Sequence, residues 1–508
     1  MSTEDRPAGD RPAGPHRTIT DIDAGALPAR AAALLDGGHR LALAAAHHDP
    51  DALRIVYLFT AASPDRRTEL HVRLDPDAPA VPSLAATSFP AGRFEREMRD
   101  LYGIVPENHP LPRRLVRHHH WPRGWYPMRA DAGPAPEFGD PEGPYPFVSV
   151  EGPGVYEIPV GPVHAGMIEP GHFRFSVVGE SILKLKARLW FVHKGLEKLF
   201  HGRAAADAVP LAERVSGDTT VGHTLAFCMA VEEATGVEVS PGARRMRALL
   251  LELERLYNHV TDLGALCNDV GHSILNSQFG RIREHLLRLN REVTGHRLLR
   301  GGVVLGGAAL RAVPAPARLA AIAEDAAELA ALALSHTVVA DRFTGTAELP
   351  AQAARDLGAL GYVARASGIG ADARRDHPFT DLRPAFSVAT RATGDVLARF
   401  QVRVQEIAVS AAIVKDLAYG MSPGVVTYWP PLAPLDGPVS GVGVVEGWRG
   451  TIVHRVELAR DGSITRTKIV DPSFFNWPAL PVALTGTIVP DFPLVNKSFN
   501  LSYAGNDL

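Results

Sequence analysis

The chain has 508 residues, more than one typical domain, and 46% of them are hydrophobic, enough to bury sizeable cores. A formal net charge of −3 gives no basic excess of the kind that indicates a nucleic-acid partner. The only two cysteines, Cys228 and Cys267, exclude a disulfide framework and an iron–sulfur cluster ligated by this chain alone. Both lie in apolar stretches, which predicts buried, unreactive thiols.

The first residues are polar. Residues 1–16 are rich in Pro, Gly, Asp and Arg without an apolar core, which is not the pattern of a signal peptide. The composition predicts a disordered tail over residues 1–18. Residues 19–109 predict a small α+β unit, with a helix over 29–35, strands over 54–61 and 69–74, and a second helix from about residue 91.

The second of these helices alternates acidic and basic side chains. They are Glu95, Glu97 and Asp100 with Arg93, Arg96 and Arg99. Such a charged face predicts a docking surface for a partner subunit or a solvent-facing surface, and not a catalytic site.

Residues 110–152 are rich in Pro, Arg, His and aromatic residues and show no periodicity. A connector of this length predicts a segment that wraps a neighbouring surface. The triplet His118–His120 invites a metal interpretation. Three successive residues cannot all face one ion in regular structure, and spacing of the zinc-site kind is missing. We therefore expect these rings to pack against a partner.

Residues 153–508 predict a larger, mainly helical unit. A strand pair over 156–160 and 173–178 flanks a turn-rich loop at 161–171. A β-hairpin is predicted over 441–470, with a turn at 448–450. Between these lie the predicted helices 183–199, 221–235, 242–266, 277–294, 314–336, 351–357 and 395–414.

Two kinds of segment are missing from the sequence. No window approaches the roughly 20 apolar residues of a membrane-spanning helix, so membrane contact is expected to come through partner subunits. No Gly-rich dinucleotide fingerprint follows a strand, so NAD would bind to a different chain.

Several motifs, in a constant order, resemble one known family. They are residues 95–104 (EREMRDLYGI), 161–175 (GPVHAGMIEPGHFRF), 193–198 (HKGLEK), 254–259 (ERLYNH) and 496–503 (NKSFNLSY). Together they resemble a fusion of the C-type (30 kDa) and D-type (49 kDa) subunits of NADH:quinone oxidoreductase. The same arrangement is found in the large subunits of group 4 membrane-bound hydrogenases of the formate hydrogenlyase type. The order and spacing carry the resemblance more than any single motif.

This resemblance implies an α+β fold class. The N-terminal domain is expected to be a small α+β domain like the respiratory-chain 30 kDa subunit. The second is expected to be a mainly helical domain like the [NiFe]-hydrogenase large subunit, with peripheral β-hairpins.

Two loops resemble the metal-binding loops of nickel–iron hydrogenases but lack their cysteines. Ser216 and Thr219 stand at the thiolate positions of the first loop, within residues 213–223. Ser473 and Asn476 stand at those assigned to the second loop. The nickel–iron cyanide centre of these hydrogenases needs soft thiolate ligands, so the resemblance implies no nickel–iron centre and no metal held by this chain. At Ser216 and Gly217, D-type subunits carry an Asp-Tyr pair whose tyrosine hydrogen-bonds the quinone.

The resemblance places loop 161–171 in a cavity that holds metal in hydrogenases and the quinone head group in quinone enzymes. Glu169, His164 and His172 are predicted to donate or relay protons there, and the two histidines to line the quinone cavity. The alternative is a polar loop tied to its own backbone. Asp218 is predicted to be a proton acceptor or the N-cap of the following helix, and His223 a donor to the bound ligand.

Four polar residues lie inside predicted helices: His193, Glu197, Arg255 and His259. They predict either internal ion pairs that stabilise packing or a segment of a proton path, and packing is the favoured interpretation.

The resemblance implies a peripheral-arm subunit of a complex-I-like oxidoreductase of the NAD(P)H- or ferredoxin:quinone type, at the cytoplasmic face of the cell membrane. It would shape a quinone or redox-partner cavity beside an iron–sulfur relay and couple electron transfer to proton translocation. Expected partners are a B-type iron–sulfur small subunit, a ferredoxin-like subunit, and H-type and antiporter-like membrane subunits. The iron–sulfur cluster and NAD(P)H would reside on partners, with quinone at a subunit interface. The alternatives are a catalytic [NiFe]-hydrogenase large subunit and a non-catalytic scaffold.

Overall fold

The computed structural model describes residues 10–139, 143, 145–164, 168–430 and 434–508. The chain divides into two compact units, Met1–Phe147 and Val148–Leu508. The division falls inside the predicted connector at 110–152. Both helices and sheets are present, which confirms the predicted fold class.

Unit 1 is built around a five-stranded sheet in the order β1-β2-β5-β4-β3. Only β2 and β5 run parallel among these neighbours. The interior strand β4, between β5 and β3, is buried along almost its whole length, which suits its apolar sequence. The elements are β1 Arg11–Pro12, β2 Arg17–Ile22, α1 Leu27–Asp36, β3 Arg40–Asp49, β4 Ala52–Ala61, β5 Arg66–Leu74, β6 Ala80–Pro82, α2 Phe89–Tyr102 and β7 Val105–Glu107.

The prediction of a disordered tail over residues 1–18 is wrong from residue 10 onward, while residues 1–9 lie outside the described part. Arg11 pairs with Ile19 in the sheet. Arg17 is buried and donates to Glu69 at 3.0 Å. A buried guanidinium must be paired, so this contact holds the start of β2 against β5.

The charged face of α2 is also different from the prediction. Asp100 is 2% exposed, and its carboxylate accepts hydrogen bonds from the backbone N–H groups of Leu115, Val116 and Arg117 at 2.8 to 3.1 Å. Arg96 donates to the carbonyl of Arg113 at 2.8 Å. The helix thus binds the connector of its own unit, because irregular backbone has no ladder to satisfy its polar groups.

The three histidines of the connector contact aromatic rings within unit 1. His119 lies 5.4 Å from Tyr145 and His120 lies 5.6 Å from Phe138, between ring centroids. The aromatic composition of the connector therefore serves packing within this unit.

Unit 2 contains the remaining elements. Its helices are α3 Leu196–Phe200, α4 Ala205–Ala212, α5 Thr220–Thr235, α6 Pro241–Asp269, α7 Ser273–Thr294, α8 Pro316–Ser335, α9 Thr337–Phe343, α10 Ala351–Asp356, α11 Gly361–Ala366, α12 Ala373–Asp376, α13 Val396–Ala418, α14 Pro472–Asn476, α15 Ala479–Ala483, α16 Phe492–Phe499 and α17 Tyr503–Asp507. Its strands are β8 Val155–Val160, β9 His172–Val178, β10 Ser181–Arg188, β11 Val303–Val304, β12 Gly307–Leu310, β13 Gly424–Thr427, β14 Val439–Gly447, β15 Gly450–Leu458 and β16 Ile464–Val470.

The 29-residue helix α6 forms the centre of unit 2 and packs against α7 and α13. Beside it, α5 packs closely on β14. A Cβ atom at Gly441 or Gly443 would lie 1.9 Å from the carbonyl oxygen of Ala230 or Ala226. Only glycine allows this approach of helix and strand.

The predicted helix at 183–199 is wrong. Its first half is strand β10, which pairs with β9, and only Leu196–Phe200 is helical. Ile182 and Leu185 face the core while Leu183 and Lys184 are exposed. Pairing of this edge strand with β9, with a β-bulge between Ile182 and Lys184, overrides the helix propensity of Leu and Lys.

Across the described residues, no helix is long and apolar enough to cross a membrane.

Candidate functional site

Unit 2 contains a cavity of about 650 Å³ where five separate chain segments meet. The segments are the β8–β9 loop with His164 and Glu169, the turn before α5 with Asp218, the end of α6 with Asp269, the β14–β15 turn with Arg449, and the C-terminal segment with Tyr503. Apolar rings and polar groups both line the cavity. Of the five predicted site residues, the structure brings His164, Glu169 and Asp218 together here.

Asp218 and Arg449 form a bidentate ion pair at the cavity wall, with N–O distances of 2.6 and 2.7 Å. Thr219 and Ser216 also donate to the Asp218 carboxylate, each at 3.0 Å. Burial alone would raise the pKa of Asp218, but the Arg449 charge and these hydrogen bonds outweigh it, so the pKa lies below its ordinary value. Asp218 is therefore a carboxylate held by a cation.

The helix-capping interpretation of Asp218 is wrong. The N-cap residue of α5 is Thr219, without a side-chain hydrogen bond, and Glu254 from α6 accepts from the N–H groups of Val221 and Gly222 at 2.6 and 3.0 Å. Burial raises the pKa of Glu254 to about 8. The sequence shows no local sign of this cap, since its residues are more than 30 positions apart.

Glu169 and His164 line the cavity through the β8–β9 loop. The Glu169 carboxylate accepts from the backbone N–H of Ala504 at 3.0 Å. His164 Nε2 donates to the carbonyl of Gly171 at 2.9 Å. Both side chains are half-buried and reach the cavity while anchored to backbone.

His172 and His223 lie outside the cavity lining. His172 Nδ1 is 3.2 Å from the carbonyl oxygen of Gly161 at the base of the loop. His223 is fully buried between His454 and Asp471, at 3.0 Å from each. Burial, with the charge of His223, lowers the pKa of His454 well below its ordinary value. His223 therefore belongs to a buried polar group behind the cavity.

The residues predicted at the four thiolate positions do not form one set. Ser216 lines the cavity, but Asn476 is directed away from it and exchanges two hydrogen bonds with the backbone of Leu360. The hydroxyl that meets Ser216 Oγ, at 2.8 Å, belongs to Ser502. Ser473 lies behind it and accepts from the Ser502 N–H at 2.9 Å.

Ser502 was not among the site residues predicted from the sequence. The signal that could have found it is spacing, because Ser502 and Gly505 repeat the three-residue separation of Ser216 and Thr219. The structure places these two turns against each other through the contact between Ser216 and Ser502.

The donor atoms at these turns do not fit a thiolate-bound nickel–iron centre. Ser216 and Ser502 offer hydroxyl groups and no sulfur, and the Arg449 guanidinium lies against Asp218 and Thr219. Both cysteines lie elsewhere, inside α5 and α6, and burial raises the pKa of Cys267 to about 12. Within the described ranges, no group of three or more His, Cys, Asp or Glu side chains could hold a metal ion.

The other singled-out polar residues form buried contacts. Glu197 pairs with Arg466 at 2.8 Å and Lys468 at 3.2 Å. His193, which lies outside a helix, contacts the carbonyl oxygen of Asp507 at 2.6 Å. These contacts agree with a packing role.

His259 and Arg255 belong to a larger ion-pair network between α6 and α13. His259 lies 2.8 Å from Glu406, and Arg365 lies 2.8 Å from the same carboxylate. Burial would raise the pKa of Glu406, but Arg365 and His259 hold it well below its ordinary value. Such a network has the pairing that buried charges require.

Known protein families match successive parts of the chain. Residues 21–137 match the 30 Kd subunit of respiratory-chain NADH dehydrogenase, and residues 269–432 match its 49 Kd subunit. Residues 194–267 match nickel-dependent hydrogenase.

Individual relatives extend this match over most of the chain. Formate hydrogenlyase subunit 5 of Escherichia coli is 33% identical over 86% of this chain and 79% of its own length. Hydrogenase-4 component G of the same organism is 33% identical over 85% and 77%. The fused C/D-type subunit of NADH-quinone oxidoreductase from Phocaeicola vulgatus is 28% identical over 74% and 76%.

A solved structure shares the fold. It is that of the membrane-bound sulfane sulfur reductase, an archaeal respiratory membrane complex, with a TM-score of 0.63 at 23% identity, covering 70% of this chain and 98% of the other. The chain thus belongs to the family of fused 30 kDa- and 49 kDa-type subunits found in formate hydrogenlyase, hydrogenase-4 and NADH-quinone oxidoreductase.

Proposed function

We propose that this chain is a peripheral-arm subunit of a membrane-associated, complex-I-like oxidoreductase and that its cavity takes a quinone-type head group in place of a nickel–iron centre. The observation that carries the proposal is the Arg449–Asp218 ion pair. It lies at the turn of Ser216 and Thr219 and leaves a cavity of about 650 Å³ beside it.

The chemistry of the cavity supports a planar carbonyl ligand. Phe173 and Phe492 offer apolar walls for a ring, and Asn500 and Lys497 bring hydrogen-bond donors. Glu169 and His164 lie in the same wall and are groups that can supply protons when a carbonyl is reduced. Reduction of a quinone to the quinol requires two electrons and two protons. Hydrogen-bond donors and proton-donating side chains in one cavity suit this reaction.

The remaining parts of the reaction belong to other chains in this proposal. An iron–sulfur small subunit would deliver electrons to the cavity, and a further subunit would carry NAD(P)H or accept ferredoxin electrons. H-type and antiporter-like membrane subunits would use the reaction for proton translocation at the cytoplasmic face. The relatives with names from hydrogenase and quinone oxidoreductase complexes support this assignment.

Quinone reduction by the intact complex tests the proposal. The variants Glu169→Gln and His164→Ala should each lower turnover by about 100-fold or more, since a general acid contributes roughly 100- to 10,000-fold. Glu180→Gln, an exposed glutamate beside β9, is the matched control and should leave turnover unchanged. Wild-type rates in both cavity variants would contradict the proposal.

A non-catalytic scaffold is the second candidate. The hydroxyls of Ser216, Thr219 and Ser502 all contact one another or Asp218, as expected for a site closed by its own side chains. Titration of the complex with a quinone analogue separates the two candidates. A perturbation confined to cavity residues supports quinone binding, and no perturbation at saturating analogue supports the scaffold.

A further inference from the structure

A second cavity, of about 680 Å³, lies in unit 2 at the N-terminal end of α6. We call it the arginine pocket. Five arginines line it, namely Arg244, Arg245, Arg374, Arg375 and Arg383. Asp381 is the one carboxylate among the described lining residues. Asp269, which lines the first cavity, ends the same helix, and 28 residues of helix separate the two sites by about 40 Å. The arginine pocket is therefore a distinct site.

The start of α6 breaks the usual rule for helix charges. The positive end of the helix dipole favours acidic side chains, yet the first turn of this 29-residue helix has none, and Arg244 and Arg245 follow its N-cap. Within the described ranges, neither arginine has a carboxylate partner. Arg245 donates to the carbonyls of Leu417 and Tyr419, while Arg244 is exposed. Leu417 and Tyr419 belong to the C-terminal end of α13, where a cation is favoured, so Arg244 is the arginine here without a compensating contact among the described residues.

The other three arginines are already paired. Buried Arg374 pairs with Asp372 at 2.7 Å. Exposed Arg375 pairs with Asp376 at 2.7 Å, and exposed Arg383 pairs with Asp381 at 3.0 Å. The site therefore has no cluster of free guanidinium groups converging on one point, as a phosphate ester requires. The two arginines without a carboxylate partner, Arg244 and Arg245, both lie near the start of α6.

Aromatic and proline side chains form the rest of the arginine pocket. Phe386 lies under the Arg374 guanidinium at 4.9 Å, and Phe379, Leu382 and Pro378 continue the apolar wall. Arginine beside aromatic rings is the composition enriched at the centres of protein–protein interfaces. A peptide segment with acidic and apolar side chains matches both parts of this surface.

We propose that the arginine pocket is the docking site for an acidic segment of another protein subunit of the complex. Carboxylates of that segment pair with Arg244 and Arg245 and interact with the α6 dipole, and its apolar side chains pack on Phe379 and Phe386. The inference uses the assignment of this chain to a multisubunit complex but is independent of what the first cavity binds.

Photo-crosslinking in the intact complex tests this proposal. A photoreactive phenylalanine analogue replaces Phe379, and the complex is purified through a tag on this chain. We expect a cross-link to one other subunit, mapped by mass spectrometry to a segment rich in Asp and Glu. The double variant Arg244→Glu/Arg245→Glu should lower the yield at least about tenfold, because like charges at an interface repel.

Arg288→Glu is the matched control. Arg288 is 67% exposed on α7 and pairs with Glu284, outside the arginine pocket, so the yield should stay at the wild-type level. If the reversed variant does not accumulate, Arg244→Gln/Arg245→Gln should give an intermediate yield. The proposal is overturned if the photoreactive analogue at position 379 cross-links to no partner when no charge variant is present. It is also overturned if the cross-linked segment has no acidic residues, or if the charge variants leave the cross-linking yield unchanged. If inorganic phosphate binds to the arginine pocket and the analogue at position 379 cross-links to no partner, the ligand of the pocket is a small anion. That result would also overturn the proposal.

Discussion

Arg449 and Asp218, 231 positions apart in the chain, face each other through two parallel N–H···O contacts at the wall of the first cavity. The pair joins the β14–β15 turn to the turn before α5. It also neutralises the charge of Asp218, whereas the Glu169 carboxylate in the same cavity accepts a hydrogen bond from the backbone N–H of Ala504.

Removing one partner of this pair should destabilise unit 2. Asp218→Ala leaves the Arg449 guanidinium buried without its carboxylate, and we expect a loss of about 2 kcal/mol in the free energy of unfolding. This is below the range for fully buried pairs because the Asp218 side chain is 38% exposed. Chemical denaturation measures the loss. Asp325→Ala, which breaks an exposed pair with Arg281, should change it by less than about 1 kcal/mol, and equal effects would contradict this account.

Glu254 should make stability depend on pH. Its folded-state pKa is about 8 against an ordinary value of 4.5, so the folded state holds a proton that the unfolded state has lost between these values. The stabilisation from this group is complete below pH 4.5 and is lost as the pH rises to about 8, with a slope of at most about 1.4 kcal/mol per pH unit.

The variant Glu254→Gln tests this assignment, since the amide keeps the shape and an acceptor oxygen but does not titrate. Melting temperatures measured between pH 5 and 9 should fall less steeply for the variant than for the wild type. Parallel pH profiles would show that the Glu254 carboxyl does not titrate in this window.

Asp100 should determine how tightly the connector is held in unit 1. Asp100→Ala removes the acceptor of three backbone N–H groups, and we expect a loss of about 3 kcal/mol. Hydrogen exchange at residues 115–117 should become faster, because those amides lose their partner. Asp51→Ala, which affects an exposed pair with Arg73, is the control. Unchanged exchange at 115–117 would refute the role of Asp100.

Gly217 offers a gain-of-function test of the cavity. A Cβ atom added there meets nothing within 4 Å, so a large side chain can enter the open space. Gly217→Tyr should fold with an unchanged melting temperature and bind a quinone analogue about tenfold more tightly, as one added hydrogen bond predicts. Gly217→Phe fills the same space without a hydroxyl and should not reproduce the gain. Equal affinities for both variants would show that no quinone carbonyl lies near this residue.

Long periodic segments were predictable from the sequence. The spacing of Met246, Leu249 and Leu253 predicts α6, and its helix extends only a few residues beyond the predicted 242–266. The strands β8 and β9 and the hairpin of β14 and β15 also lie where turn residues and apolar runs predict them. In these segments local pattern and tertiary packing agree.

The predictions from sequence are wrong where residues distant in the chain determine the local structure or the position of a side chain. Residues 183–199 contain helix-forming Leu and Lys, but pairing with β9 makes the first half a strand. The charged face of α2 was expected to be a docking or solvent-facing surface. Its partner is instead the irregular backbone of the connector, and such backbone leaves no sequence pattern. His223 and Asn476 were placed at the cavity through the resemblance, and only the packing shows that they lie behind it.

The central claim is that the cavity of this chain holds no nickel–iron centre. The nickel content of the purified intact complex tests it most directly, because an iron–sulfur partner would contribute iron but no nickel. We expect far less than one nickel atom per chain, because Ser216, Thr219 and Ser502 present hydroxyl groups and the Arg449 guanidinium lies against Thr219. One nickel atom per chain, lost in the variant Ser216→Ala/Ser502→Ala, would contradict it.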